Sequence, residues 1–259
     1  MPELPEVEAY RGLAEAALHR LILSVEAPDA WFLKRCDVTT LDAILTSSSL
    51  LAARRRGKLL LLDTAAGVVL GLRFGMTGRL VVDGQVGVDD LLYTSNEARP
   101  EWERFGVTFA DGGRMSVIDP RRLGGVELDP DEDRLGPDAR SIRPAALRAV
   151  LGASTTALKA RLLDQSRLAG VGNLIADEAL WRASLDPRRQ AGSLTPAEFR
   201  RLHRHLTNTI EDLIARGGSH QGDFLPHRHP GGTCPRDGSA LLRAAVGGRT
   251  TWMCPVHQG

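Results

Sequence analysis

The sequence predicts an α+β chain. An N-terminal β-sandwich with flanking helices is followed by a helical domain that ends in a β-hairpin, zinc-finger-like tail. Three observations carry this expectation. From Leu21 to about Leu128 short β-rich runs alternate with turns, and no helical stripe intervenes. From Pro144 to Ile214 apolar residues recur at three- and four-residue spacing instead. Near the end, Cys234-Pro235-Arg236-Asp237 and Cys254-Pro255-Val256-His257 stand sixteen residues apart, and each bears two side chains of types that zinc accepts.

The 259 residues suit two modest domains, each long enough for a core. Charged residues make up 25% and apolar ones 42%, the balance of a soluble globular protein. No apolar run approaches eighteen residues, and the acidic start MPELPEVE lacks the basic and apolar regions of a signal peptide. The expectation is a cytoplasmic protein that does not enter a membrane. Cys36, Cys234 and Cys254 make no disulfide framework. Net charge is only +1, but it is unevenly spread. Residues 1–144 hold 18 Lys and Arg against 23 Asp and Glu, and residues 145–259 hold 15 against 9. The second part is the better candidate for gripping phosphate.

In chain order, Val7, Tyr10, Ala14, Ala17, Leu18 and Leu21 form a helical stripe, with Pro5 near the helix start. Removal of Met1 leaves Pro2 with a free α-amine. Such an amine has a pKa of about 7.7–8.0, so much of it is neutral at physiological pH and can attack an aldehyde-level carbon. Glu3 beside it can shuttle protons. The runs Leu59–Leu62 and Val68–Leu70 flank a turn, as do Val107–Phe109 and Met115–Ile118, giving two hairpins. Arg54-Arg55-Arg56-Gly57-Lys58 is a basic cluster before the first of these. Residues 129–143, with two prolines and five acidic side chains in their first ten positions, read as a solvated linker.

Pro144–Leu151 reads as a short helix. Leu158, Leu162 and Leu163 then share a face, Gly170-Val171-Gly172 breaks the chain, and Asn173 is a good N-cap for the helix through Leu180. Glycines that let phosphate approach the backbone, set before a helix N-terminus, suit nucleic-acid binding. Thr195-Pro196-Ala197-Glu198 is a capping box opening a helix through Ile214, which Gly217-Gly218 ends. His203 and His205 on that helix point in different directions and read as surface residues.

Together PELPEVE, RRRGKLLL, DPRRLG, LLDQ with AGVGN and ADEAL, GRTT and the x2-x16-x2 metal spacing resemble the formamidopyrimidine-DNA glycosylase/endonuclease VIII family of helix–two-turn–helix proteins. The resemblance runs from Pro2 to Gln258. It implies a catalytic β-sandwich at residues 1–128, a linker at 129–143, a helix–two-turn–helix domain at 144–218 and a finger at 219–259. It implies a bifunctional DNA glycosylase and AP lyase of base excision repair. The enzyme so implied would be a monomer acting on double-stranded DNA that contains a damaged base or abasic site, with the DNA in the cleft between the two domains. Pro2 is the implied nucleophile at C1′ and Glu3 the acid/base. Glu6 is a further active-site carboxylate, and Lys58 reaches the site and a phosphate. Met76 fills the gap left by the flipped nucleotide, Arg121 faces the orphaned base, and Leu123 wedges the stack. Arg73, Lys159, Asn173 and Arg249 are implied DNA contacts. Cys234, Asp237, Cys254 and His257 are the implied ligands of one structural zinc ion; the alternatives are His227 or His229 in place of Asp237, and a finger held by packing without zinc.

This chain departs from the family pattern at five places. Arg73 and Leu123 replace the usual histidine and phenylalanine, Asp237 and His257 replace cysteines, and only Ser219–Thr233 separates Gly218 from Cys234. In the 8-oxoguanine branch that segment is long and caps the flipped base. The departures keep two alternatives open: a specialised enzyme for pyrimidine or bulky adducts, and a protein that binds damaged DNA without cutting it.

Overall fold

The computed structural model describes residues 2–88, 91 and 99–259, and these form two compact units, Met1–Glu132 and Asp133–Gly259. The boundary falls inside the expected linker. The fate of Met1 lies outside the described residues. Residues 219–259 belong to the second unit.

In the first unit, α1 (Leu4–Ala14) leads through a 3-10 turn to β1 (Ile22–Glu26). Next come α2 (Val38–Leu45), β2 (Leu50–Arg56), β3 (Leu59–Thr64), β4 (Val69–Arg73), β5 (Arg79–Val82) and β6 (Gln85–Val86). After the undescribed stretch follow β7 (Glu103–Phe109), β8 (Arg114–Ile118) and β9 (Gly125–Leu128). The strands make two antiparallel sheets, ordered β1-β7-β8-β5-β6 and β2-β3-β4-β9. Both expected hairpins are present as β3–β4 and β7–β8. Leu60 and Leu62 from one sheet meet Val107, Phe109 and Met115 from the other in one core, which Val7, Tyr10 and Ala14 of α1 also enter. All four leucines Leu59–Leu62 are fully buried, as befits a strand covered on both faces.

Two expectations need correction here. The first helix stops at Ala14, and Leu21 is 54% exposed, so the apolar stripe outruns the helix. The β-rich stretch is also interrupted by α2. That helix has only Leu41 and Leu45 buried, and its start is marked by Asp37, whose carboxylate accepts the Thr40 N–H at 2.8 Å. Eight residues with so few buried positions show little periodicity.

The second unit contains α3 (Pro144–Leu151), α4 (Leu158–Leu163), α5 (Asn173–Arg182), α6 (Pro196–Ala215) and the hairpin β10 (Leu242–Val246) and β11 (Arg249–Met253). The capping box is formed: Thr195 Oγ1 accepts the Glu198 N–H at 3.3 Å, and the Thr195 N–H donates to Glu198 Oε2 at 2.8 Å. α5 starts one residue earlier than expected, because Gly172 is its N-cap and Asn173 its first residue. Glycine takes the extended N-cap conformation and brings no side chain into the turn. No helix among the described residues is long and apolar enough to cross a membrane.

Candidate active site and metal centre

The start of α1 gathers the first set of reactive groups. Glu3 is the N-cap, Pro5 stands in the first turn where its missing N–H costs nothing, and Glu6 follows. The Glu3 N–H donates to Glu6 Oε2 at 2.7 Å, which fixes the backbone immediately after Pro2. Pro2 is buried, and Glu3 and Glu6 are each 1% exposed. Two carboxyl groups are thus held away from water close to Pro2 in the chain. Further along α1, Glu8 pairs with Arg55 at 2.8 Å and with Arg11 at 2.8 Å. These two guanidinium groups outweigh desolvation and hold the Glu8 carboxyl below the usual range, although burial is the largest single influence and acts upward. Arg55 also donates to the Gly57 carbonyl at 2.8 Å, so it fixes the β2–β3 turn, in which Lys58 is half-buried.

Two loops beside the sandwich carry Met76, Arg121 and Leu123. The buried Tyr10 hydroxyl donates to the Gly78 carbonyl at 3.1 Å, and its ring lies 4.5 Å from that of Phe74. Burial, and then the nearby Glu6, push the Tyr10 phenol well above its ordinary pKa, so it stays a neutral donor. Asp119 is fully buried and serves both loops. It accepts from Thr77 Oγ1 at 2.6 Å, from the Arg121 N–H at 3.2 Å and from the Gly124 N–H at 2.9 Å. Gly75, at φ +55°, sits so close that an added Cβ would lie 2.4 Å from the Leu123 carbonyl carbon. Met76 is half-buried, while Arg121 and Leu123 are exposed. Arg73, at the end of β4, is exposed and paired with Glu127 at 3.0 Å. In the sequence Asp119 and Tyr10 stand only as members of a motif and of a helical stripe. Their roles depend on partners 42 and 68 residues away.

In the second unit Gln165 fastens the glycine turn between α4 and α5. Its amide donates to the Leu163 and Val171 carbonyls at 2.9 and 2.8 Å and accepts the Gly170 N–H at 3.0 Å. Asn173 is half-buried at the head of α5, and its Oδ1 has no hydrogen-bond partner among the described residues. Lys159 is placed differently from what a phosphate contact requires. It is fully buried, paired with Asp177 at 2.6 Å and donating to Thr251 Oγ1 at 2.7 Å. Arg228 completes the cluster, 2.8 Å from Asp177. An ammonium that reaches solvent nowhere cannot meet DNA in this arrangement; it ties α4 to α5 and β11. Arg249, by contrast, is exposed at the start of β11, after a two-glycine turn with φ +59° and +72°.

Cys234, Asp237, Cys254 and His257 converge, with all four donor atoms within 4.8 Å of one another. His227 and His229 are not members of this group. Cys234 Sγ lies 3.4 Å from His257 Nδ1, Cys254 Sγ lies 3.2 Å from Asp237 Oδ2, and those last two donors, Nδ1 and Oδ2, are 3.2 Å apart. Four ligands at about 2.0–2.3 Å from a tetrahedral ion have edges of roughly 3.3–3.8 Å, close to these separations, so the group could hold a metal ion. His257 Nε2 stands 3.2 Å from the Trp181 carbonyl, a partner that aims Nδ1 inward. Backbone N–H groups of Arg236 and His257 approach the two sulfurs at 3.4 and 3.5 Å. Beneath lies a small apolar core of Trp181, Phe224 and Trp252 with the two cysteines.

The formamidopyrimidine-DNA glycosylase N-terminal domain matches residues 1–126, and the helix–two-turn–helix domain of the same enzymes matches residues 135–224. The chain belongs to the formamidopyrimidine-DNA glycosylase family. It is 34% identical to the formamidopyrimidine-DNA glycosylase of Paracoccus denitrificans and 35% identical to that of Methylocella silvestris, over the full length of every chain. Among solved structures it is similar to Lactococcus lactis Fpg bound to abasic-site DNA (TM-score 0.85, 26% identity, 100% of both chains). The same protein with N7-benzyl-Fapy-dG DNA gives a TM-score of 0.84 at 26% identity over 99% of both chains.

Proposed function

We propose that this protein is a base excision repair enzyme that removes a damaged base and then cleaves the abasic strand, with Pro2 as the nucleophile. The observation that carries this reading is Pro2 held beside buried Glu3 and Glu6 at the start of α1. The damaged nucleotide is flipped out at a cost of a few kcal/mol, less for a weakly paired lesion. The neutral Pro2 nitrogen attacks C1′, and the bond from C1′ to the base breaks with a proton delivered to the leaving base. Glu3 moves protons as the sugar ring opens to an iminium. The iminium acidifies the 2′ carbon, so loss of that proton expels the 3′ phosphate, and a second elimination expels the 5′ phosphate. Borohydride added during reaction with abasic DNA should trap one adduct per chain. Peptide mass analysis should place it on Pro2 as the first residue; an adduct on Lys58 would overturn the assignment.

Met76 and Arg121 are read as the residues that fill the space left by extrusion. Met76→Ala and Arg121→Ala should slow release of a paired lesion by about tenfold, a loss of order 1.4 kcal/mol, while cleavage of a pre-formed abasic site changes little. Single-turnover rates on the two substrates check this, and equal losses on both would refute it. Arg249 is read as a phosphate contact, in keeping with its exposure on the hairpin. Arg249→Ala should weaken binding and lower the slope of log K against log salt by about one. An unchanged slope would remove it from the interface.

The four-donor group is read as a structural zinc site, because protein would fill all four positions and leave none for water activation. Zinc there would hold the knuckles on either side of β10 and β11. Elemental analysis of the purified protein should find about one zinc per chain. Cys254→Ser and Asp237→Ala should lower the content and weaken DNA binding without abolishing borohydride trapping. Metal-free protein with full DNA affinity would exclude zinc. The specialised-enzyme reading gains support from Glu178, whose carboxylate accepts the Asp223 and Phe224 N–H groups at 3.2 and 2.9 Å and so pins the chain soon after the double glycine. Little chain then remains to cap a flipped base. A panel of single-lesion duplexes tests this reading: faster release of bulky or pyrimidine lesions than of 8-oxoguanine supports it.

A further inference from the structure

Trp31 has no role in the chemistry above, yet it is the most exposed large hydrophobic residue among those described, at 68%. An indole left in water is unusual, because it buries more area than most side chains when it finds a partner. Its surroundings are built. The segment Asp29–Lys34 packs against the loop that carries Arg121 and Leu123. Asp29, whose side chain is 10% exposed, accepts the Trp31 N–H at 3.2 Å and binds the Arg122 guanidinium at 2.5 and 2.7 Å. Phe32 is buried so close to Gly124 that a Cβ there would lie 2.9 Å from its ring. The Lys34 N–H donates to the Val126 carbonyl at 2.7 Å. Trp31 and the half-exposed Leu123 are therefore held by the same three ties, on neighbouring loops of one unit.

A cation lies over the indole. Lys34 Nζ lies 4.8 Å from the Trp31 ring centroid and donates to the Trp31 carbonyl at 2.6 Å. Arg35 and Arg121 are exposed nearby in sequence or on the adjoining loop. An exposed aromatic ring among cations is the composition of a surface that stacks nucleobases while neutralising phosphates. An apolar protein partner would not call for those cations.

We propose that Trp31 stacks on a base of the undamaged strand, next to the position where Leu123 enters, and supplies the aromatic contact that Leu123 itself cannot give. This rests on the reading of Arg121 and Leu123 as the residues facing that strand. In this chain the exposed aromatic group stands on the loop between β1 and α2, and the Asp29–Arg122 pair ties that loop to the one carrying Leu123.

The test is equilibrium binding of the full-length protein to a duplex carrying a reduced, uncleavable abasic site. Trp31→Ala should raise Kd about five- to tenfold, and Trp31→Phe should restore most of the affinity. On a second duplex, tetrahydrofuran residues replace the bases opposite and beside the lesion on the undamaged strand. There the penalty of Trp31→Ala should shrink to less than about twofold, since no base is left to stack. An unchanged Kd on the first duplex would overturn the proposal, and so would an equal penalty on both. Borohydride trapping on single-stranded abasic DNA separates this inference from the reading beneath it. Trapping by wild-type protein upholds the repair activity whatever Trp31 does, whereas no trapping removes that activity.

Discussion

Pro2→Gly should lose strand cleavage at abasic sites by about a hundredfold or more and yield little borohydride-trapped adduct. The substitution replaces a ring-constrained secondary amine with a mobile primary one, at a point where the next N–H is fixed by Glu6 at 2.7 Å. A secondary amine gives a permanently charged iminium, whereas glycine gives an imine that must first be protonated. Glu3→Gln should leave the amine in place but slow base release by about 10²–10⁴-fold, the usual weight of a positioned acid/base. The wild-type rate should rise with pH as the amine loses its proton, because only the neutral form attacks. Full cleavage by Pro2→Gly, or a rate that falls steadily between pH 6 and 8, would contradict a proline nucleophile.

Lys159→Met should destabilise the second unit by about 3–5 kcal/mol, the usual result of removing one partner from a buried ion pair. The side chain is fully buried against Asp177 and Thr251, and methionine keeps its length but not its charge. Hydrogen exchange should accelerate most in α4, α5 and β11, the elements that meet at this lysine. DNA affinity should fall as a consequence, through the loosened hairpin that presents Arg249. A phosphate contact at Lys159 would give a different pattern: stability changed by less than about 0.5 kcal/mol and a reduced salt slope.

The contrast between Lys159 and Cys254 shows how far the sequence could be read. Two knuckle-forming turns at fixed spacing bring four donors together by local geometry, so Cys234, Asp237, Cys254 and His257 were all legible. The capping box at Thr195 and Glu198 and both hairpins of the sandwich were legible for the same reason. A lysine in a phosphate-binding motif, however, looks the same whether its ammonium faces solvent or a buried aspartate.

The sequence by itself determined the two-part architecture, the N-terminal proline with its carboxylates, the glycine-turn helix pair and the donor set of the finger. Each of these is written in residues close along the chain. Only the tertiary structure decided which charges are buried and which loops are joined. Thr251 meets Lys159 from 92 positions away, Arg122 reaches back 93 positions to Asp29, and Asp119 holds Thr77 across 42. Such pairs leave no periodic trace, because a charged side chain becomes a core or crosslinking group only when folding brings its partner and removes the water.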